Sequence, residues 1–265
     1  MQKTSRKLLL LTFLAAIAVP CSITFLGCSG NKNASEPKSE ENTEKNNQNA
    51  KKNQENSKEN KARRAESEKN LKEIAFVMLQ YNVAKKRLPQ RATFDKDGKP
   101  LLSWRVEILP YLDRADLYEQ FNRNEPWDSP HNKKLIPLMP KIYRNPNNPA
   151  PTADGTSDYV VPTGPGSIFE GQNRKSPDTI RDGPRYTMMV VEINPDKAVI
   201  WTKPDDLDYD TSNPKANLGK AHPGGFNAAF ADGHVQFLKS SLKDKTLLQL
   251  FQMKDRELFN EADLQ

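Results

Sequence analysis

The chain has 265 residues, 40 Lys+Arg against 34 Asp+Glu and three histidines, enough for one or two domains. Its two cysteines, Cys21 and Cys28, lie in the first thirty residues, which excludes internal disulfides and thiolate chemistry from the remainder. Three of the basic residues, Lys3, Arg6 and Lys7, precede Cys28 with no acid among them, so the formal charge falls from +6 to +3 once that segment is set aside; charge gives no argument for nucleic-acid binding.

Lys3, Arg6 and Lys7 are followed by an apolar run from Leu8 to Leu26, broken by Pro20-Cys21, and then by polar residues. This is the pattern of an export signal. Its end, Gly27-Cys28, resembles the bacterial lipobox, although Phe25 stands where Leu is commoner. The resemblance implies that Cys28 is lipidated and becomes the first residue of the mature protein; an uncleaved signal anchor is the alternative. Either attaches the rest of the chain to a membrane outside the cytoplasm. By analogy with lipoprotein sorting, Ser29 points to the periplasmic face of the outer membrane.

Residues 29–62 contain no Leu, Ile, Val, Phe, Tyr, Trp or Met. Such a segment buries too little apolar surface to offset its ordering entropy, so a disordered tether is expected, with a reach of about 30 Å. A charged helix continuing upstream from Ala62 is the alternative. From Arg63 to Lys86 the spacing predicts a helix. Leu71, Ile74, Ala75, Met78 and Asn82 form its track, widened by Phe76, Val77, Leu79 and Tyr81, and Leu88-Pro89 ends it. Asp97-Gly98 is a turn. Ser103 caps a second helix carrying Trp104, Val106, Ile108 and Leu109, and shorter helical pieces cover 116–121 and 131–138, the last capped by Asp128 or Ser129. Beyond Pro140 short β-rich runs appear at 159–161, 186–193, 198–201, 227–231 and 234–238, and 242–259 returns to helical spacing. Helices first and strands after predict an α+β domain with an antiparallel sheet over 63–265, behind a signal at 1–28 and a tether at 29–62.

The most patterned stretch is HPGGFNAAFADGHVQFL, from His222 to Leu238. Asp232-Gly233 is the dipeptide of a two-residue type I′ turn. That turn would set Ala231 against His234, Phe230 against Val235 and Ala228 against Phe237. Phe226, Ala228, Phe230, Val235 and Phe237 would then share the core face, with His234 on the other side. His222, Asp232 and His234 would meet at a metal only if the His222 loop folded back along the hairpin. Zinc needs three protein ligands even in a catalytic site, and no HExxH or His-x3-His spacing is present, so the spacing favours a plain hairpin.

The arrangement of His222, nine residues, then Asp232-Gly233 resembles the His-x9-Asp-Gly motif of the bacterial family with the domain of unknown function 1559. NLKEIAFVMLQYN (70–82), GKPLLSWRVEILPYLD (98–113), LYEQFNRNEPWDSPHNKKLIPLMPKIYRNP (117–146), VVE (190–192) and WTKPDDL (201–207) are similar to its other blocks. The resemblance implies a pilin-like α+β fold, one long N-terminal helix packed on an antiparallel sheet, with additional short helices and a C-terminal helix. The chain departs from the family by its lipoprotein-like start in place of a prepilin cut site, and by lacking cysteines near Ser67 and at Asn145.

No P-loop and no Gly-x-Ser-x-Gly elbow is present. Asp154-Gly155-Thr156-Ser157-Asp158 lacks the closing Glu of a calcium loop and reads as a turn. His131 beside Asp128 has no adjacent nucleophile. The stretch WTKPDDLDYD offers Trp201, Asp205, Asp206 and Asp208 as a ligand-binding group, through stacking and oxygen donors. Scattered bases and few aromatics give no platform for nucleic acid. The expected protein is therefore non-catalytic and needs no cofactor. It is held to the membrane by its N-terminal lipid and acts through a protein partner in the cell envelope. A solute- or glycan-binding lipoprotein and, more remotely, a metal-dependent hydrolase are the alternatives.

Overall fold

A computed structural model describes residues 39–253; the expected export signal, Cys28 and the last part of the expected C-terminal helix lie outside them. The fold below is that of the compact unit Gln48–Gln265. The first helix, α1, spans Ser39–Lys85. The tether expected up to Ala62 is thus helical from Ser39 onward, and the charged helix continuing upstream is what forms. Residues 51–59 are exposed along this stretch, so burial does not hold it. Extending an existing helix adds one hydrogen bond per residue without a new nucleus. Exposed pairs four residues apart, such as Arg63–Glu59 at 2.7 Å, add a little more. The helix stops at Lys85, before Lys86 with its left-handed φ of 58° and the Leu88-Pro89 step.

From Leu71 onward α1 buries Leu71, Ile74, Ala75, Val77, Met78 and Tyr81. Phe76, expected on the widened apolar side, is instead 60% exposed. At 100° per residue it points almost opposite to the Leu71–Met78 stripe.

Four strands form the main antiparallel sheet, in the order β4 (Tyr159–Val160), β5 (Met188–Glu192), β7 (Gly225–Phe230) and β8 (Val235–Lys239). Two ribbons accompany it. One pairs β1 (Ala92–Phe94) with β2 (Pro100–Ser103), the other β3 (Thr156–Ser157) with β6 (Val199–Ile200). Ser103 caps α2 (Trp104–Glu107) by accepting from the Arg105 N–H at 3.0 Å, as its position predicts. Short helix α3 (Ala115–Tyr118) and several 3-10 turns follow, and α4 (Asp244–Phe251) comes after the sheet. On one face of the sheet Val190, Ala229 and Ala231 join Leu71, Ile74 and Met78 of α1 in a single core. On the other face Val191, Phe226, Ala228, Phe230 and Leu238 join Leu247, Leu250 and Phe251 of α4. A long N-terminal helix therefore packs on an antiparallel sheet, in the α+β arrangement expected. All six residues of β7 are buried, because both faces of this strand are covered.

The β7–β8 hairpin corrects the expected turn. Gly233 has φ +93°, whereas Asp232 is not in the left-handed region that type I′ would require. The Gly233 N–H donates to the Phe230 carbonyl and the Phe230 N–H to the His234 carbonyl, both at 2.9 Å. The loop therefore has three residues, Ala231-Asp232-Gly233, with the glycine in the left-handed position. Asp232 Oδ1 steadies it by accepting from the His234 N–H at 3.0 Å. The register slips by one: Asn227 faces Phe237, Ala228 faces Gln236 and Ala229 faces Val235. Val235 and Phe237 consequently leave the face of Phe226, Ala228 and Phe230 for the face toward α1. His234 moves the other way and stacks on Phe230 at 4.4 Å and 7°.

Candidate functional site

The register across the sheet lines up one row of side chains beneath α1. Tyr159 of β4 is paired with Glu192 of β5, and Asn227 of β7 with Phe237 of β8. Glu192 and Asn227 close the gap. The Asn227 N–H donates to Glu192 Oε2 at 2.6 Å, and its Nδ2 donates to Oε1 at 3.1 Å. From α1, Ser67 donates its hydroxyl to Glu192 Oε1. Tyr159 OH lies 2.7 Å from the same Ser67 oxygen, and Asn70 Nδ2 donates to the phenol at 3.4 Å. The Arg64 carbonyl accepts from Asn227 Nδ2 at 3.4 Å, and its guanidinium lies 4.5 Å over the Phe237 ring.

His222 enters this row from the tight turn ahead of β7. Its backbone N–H donates to Gly225 O at 3.1 Å and its carbonyl accepts from Gly225 N at 3.2 Å. Pro223-Gly224 closes the bend, and Gly225 cannot carry a side chain, since a Cβ there would sit 2.0 Å from the Leu238 carbonyl oxygen. The imidazole Nε2 is 3.1 Å from Glu192 Oε1, and Nδ1 is 2.6 Å from Asn147 Nδ2. Asn147 Nδ2 also donates to the Ala221 carbonyl at 2.9 Å, which fixes it as the donor. The hydrogen-bond pattern therefore assigns a neutral ring, accepting at Nδ1 and donating Nε2–H to the carboxylate. Asp158 supports the segment that carries Asn147: it accepts from the Asn145 N–H at 2.9 Å and from Asn148 Nδ2 at 2.5 Å.

Burial governs the electrostatics. It pushes the Asp158 carboxyl up to about 6 despite its hydrogen bonds and Arg144, with Glu192 adding to the rise. It holds the Tyr159 phenol well above its ordinary value, again reinforced by Glu192, so Tyr159 keeps its proton. Glu192 is fully buried, with Ser67, His222 and both nitrogens of Asn227 directed at its oxygens. A buried carboxylate satisfied in this way ties its donors together. The order of groups matters for chemistry. Glu192 stands between Ser67 and His222, so the serine proton faces a carboxylate and the imidazole N–H faces the same carboxylate. A nucleophile triad requires the imidazole beside the serine. Ser67, Tyr159, Glu192 and Asn227 are all at 0% exposure and His222 at 3%.

The sequence pattern of the family described as protein of unknown function (DUF1559) matches residues 56–217 and 196–245, most of the chain. The chain belongs to this family. No curated protein and no solved structure matches it. The DUF1559 match begins inside α1 and takes in every residue of the buried network. Ser67 and Asn145, at or near the places where the family resemblance calls for cysteines, are both fully buried. Nearby, Asn70 Nδ2 donates to the Arg144 carbonyl at 3.3 Å, so hydrogen bonds join α1 to this segment.

Of the motif residues, the DUF1559 fold brings His222 to Glu192 but leaves Asp232 and His234 at the hairpin tip, paired with each other at 2.5 Å. Among the described residues no group of three or more His, Cys, Asp or Glu could hold a metal ion. The candidate ligand loop disperses. Trp201 is fully buried, stacks on Tyr143 at 5.9 Å and donates from Nε1 to the Ile136 carbonyl at 2.9 Å. Asp206 forms a buried ion pair with Arg105 at 2.9 Å and also accepts from Trp104 Nε1 and Val161 N. Asp205 pairs with Lys203 at the surface, and Asp208 is exposed. His131 bonds the Gln120 carbonyl at 2.7 Å, while Ser129 caps its turn by accepting from Asn132 N at 3.1 Å. Sequence reasoning gave no site role to Ser67, Asn147, Asp158, Tyr159, Glu192 or Asn227: Ser67 entered only as the place of a missing cysteine, Asp158 as part of a turn and Glu192 as the end of the VVE block. One signal was available: Glu192 is the only charge in the otherwise apolar run 188–193, and an acid in a buried strand requires donors.

Proposed function

We propose that this protein is non-catalytic, tethered to a membrane in the cell envelope through lipid on Cys28, and that its pilin-like domain acts through contact with a protein partner. The observation that carries the non-catalytic part is the complete use of the motif histidine. His222 spends both ring nitrogens on Asn147 and Glu192 inside the fold, where they tie the turn ahead of β7 to β5 and to the segment that carries Asn147. Such a group positions structure; it is not poised to move a proton to a substrate. The contact part is supported by the two large apolar side chains that α1 turns to solvent seven residues apart, Phe76 at 60% and Val83 at 70% exposure. The basic start, the apolar run and Gly27-Cys28 support attachment through the N-terminal segment; among the described residues no helix is long and apolar enough to cross a membrane. The periplasmic face of the outer membrane is the proposed location.

A photo-crosslinking residue placed at Phe76 or Val83 of the full-length protein, in its own cells, tests this reading. The expected result is one discrete protein adduct from these positions and none from the exposed Asp116. Crosslinks to no protein, or equally from all three positions, overturn the contact reading. A hydrolytic activity lost in a folded His222→Asn variant overturns the non-catalytic one.

A further inference from the structure

The helix face that is apolar from Leu71 to Tyr81 changes character toward the N-terminus. One turn after another, the same face carries Asn53, Asn56, Asn60 and Arg64. Here α1 and the His222-Pro223 turn bound an open groove of about 500 Å³. Three carboxamides, the Ser57 hydroxyl and two cations, Lys61 and Arg64, line it from the helix. No acid lines it. Glu59 lies on another side of α1, paired with Arg63, and Glu55 is likewise absent from the lining. Neither Lys61 nor Arg64 has a carboxylate partner among the described residues; the Arg64 guanidinium rests only on the Phe237 ring. At the same corner of the fold, Asn227, whose Nδ2 donates to the Arg64 carbonyl, has its Oδ1 buried without a hydrogen-bond partner. The wall formed by His222 is rigid, since both of its ring nitrogens are engaged.

We propose that this groove binds an anionic saccharide, a hydroxyl-rich chain bearing carboxylate or phosphate groups. Asn53 and Asn56 each offer a donor and an acceptor side by side, which suits neighbouring sugar hydroxyls, and Asn60, whose Oδ1 accepts from Arg63 at 3.2 Å, adds its Nδ2 donor. Lys61 and Arg64 then meet the acid group, with Arg64 suited to a two-point contact. A peptide would need apolar anchors, and the groove offers only Pro223 and side-chain stems. The site lies apart from the loop Trp201 to Asp208, which the fold has dispersed, and the proposal does not rest on the protein-contact reading of the function.

The test is calorimetric titration of the full-length protein in detergent with oligogalacturonate, a phosphorylated oligosaccharide, a neutral oligosaccharide of the same length, inorganic phosphate and an oligoglutamate peptide. Binding of one or both acidic saccharides is expected, at least tenfold tighter than the neutral one and weakened by salt; which of the two binds identifies the acid group. Lys61→Glu and the pair Asn56→Leu, Asn60→Leu should each weaken it at least tenfold, with melting curves close to wild type because these side chains make little buried contact. Four results overturn the proposal: no saccharide binding, equal binding of acidic and neutral chains, equal binding of oligoglutamate or phosphate alone, or unchanged affinity in these variants when their melting curves are intact.

Discussion

His222 and Glu192 face each other at 3.1 Å with their side chains 1% and 0% exposed, and this contact separates the two histidines of the motif region in energetic terms. His222→Ala removes a donor from a buried carboxylate, leaves Asn147 Nδ2 short of an acceptor and opens a cavity. It should cost about 2–4 kcal/mol. His234→Ala loses a half-exposed stack on Phe230 and a surface pair, and should cost about 1 kcal/mol or less. Thermal melts with and without chelator check the ordering. The expected curves do not move with chelator in any of the three proteins. A chelator-sensitive wild type with an insensitive His222→Ala variant would restore the metal reading.

Glycines at the two ends of β7 should differ in what they tolerate. Gly225→Ala places a Cβ 2.0 Å from the Leu238 carbonyl oxygen, against backbone that cannot step aside, so the hairpin and the His222 turn should both be lost. Gly233→Ala meets only the end of the Leu79 side chain, at 3.0 Å, and its main penalty is φ +93°, worth about 1–3 kcal/mol. Denaturant unfolding should rank Gly225→Ala as far the worse.

Asp158 gives stability a pH dependence opposite in sign to ordinary acid unfolding. Its carboxyl, raised by burial to about 6 from 3.8, takes up a proton in the folded protein before it does so in the unfolded chain. The contribution therefore grows as pH falls from 7 through 6 and levels off below about 4. Asp158→Asn cannot titrate. Unfolding free energies of the two proteins at pH 7 and pH 5 should show the difference moving in favour of wild type at the lower pH, by about 1 kcal/mol. A difference that stays constant between the two pH values would mean that the buried charge carries no penalty.

The four candidate ligand residues should behave as structure, not as a binding site. Asp206→Ala strands the fully buried Arg105 guanidinium and should cost about 3–5 kcal/mol, and Trp201→Ala a similar amount through its cavity. Asp205→Ala and Asp208→Ala, both at the surface, should stay within about 0.5 kcal/mol. Chemical denaturation of the four variants decides the matter; a folded Trp201→Ala protein that had lost only a ligand would reverse the assignment.

Anchoring is tested apart from the fold. Cys28→Ala should abolish palmitate labelling and release the protein from the membrane fraction, while the unfolding transition of the domain stays where it was. Labelling that persists in the variant would show that Cys28 is not the lipidated residue.

Much of this fold is written locally. The stripe Leu71, Ile74, Ala75, Met78 follows from a period of 3.6, the Ser103 cap from its hydroxyl ahead of an apolar run, and each strand of the main sheet from its short apolar run. The family, too, was legible, since its motif is a fixed spacing in one dimension. What the tertiary structure alone decided is everything that depends on which surfaces meet. The hairpin register could not be read from Asp232-Gly233, because β7 is buried on both faces and so does not alternate; packing Val235 beside Ala229 in the core under α1 goes with a three-residue loop, not a two-residue one. The helical state of residues 39–62 was hidden because a polar helix carries no apolar period, and it extends from a nucleus that packing supplies further along the chain. The partners of Glu192 were invisible for a simpler reason. An acid inside an apolar strand announces that donors must exist, but His222 and Ser67 lie 30 and 125 residues away, and only the packing of α1 on the sheet brings them to the same carboxylate.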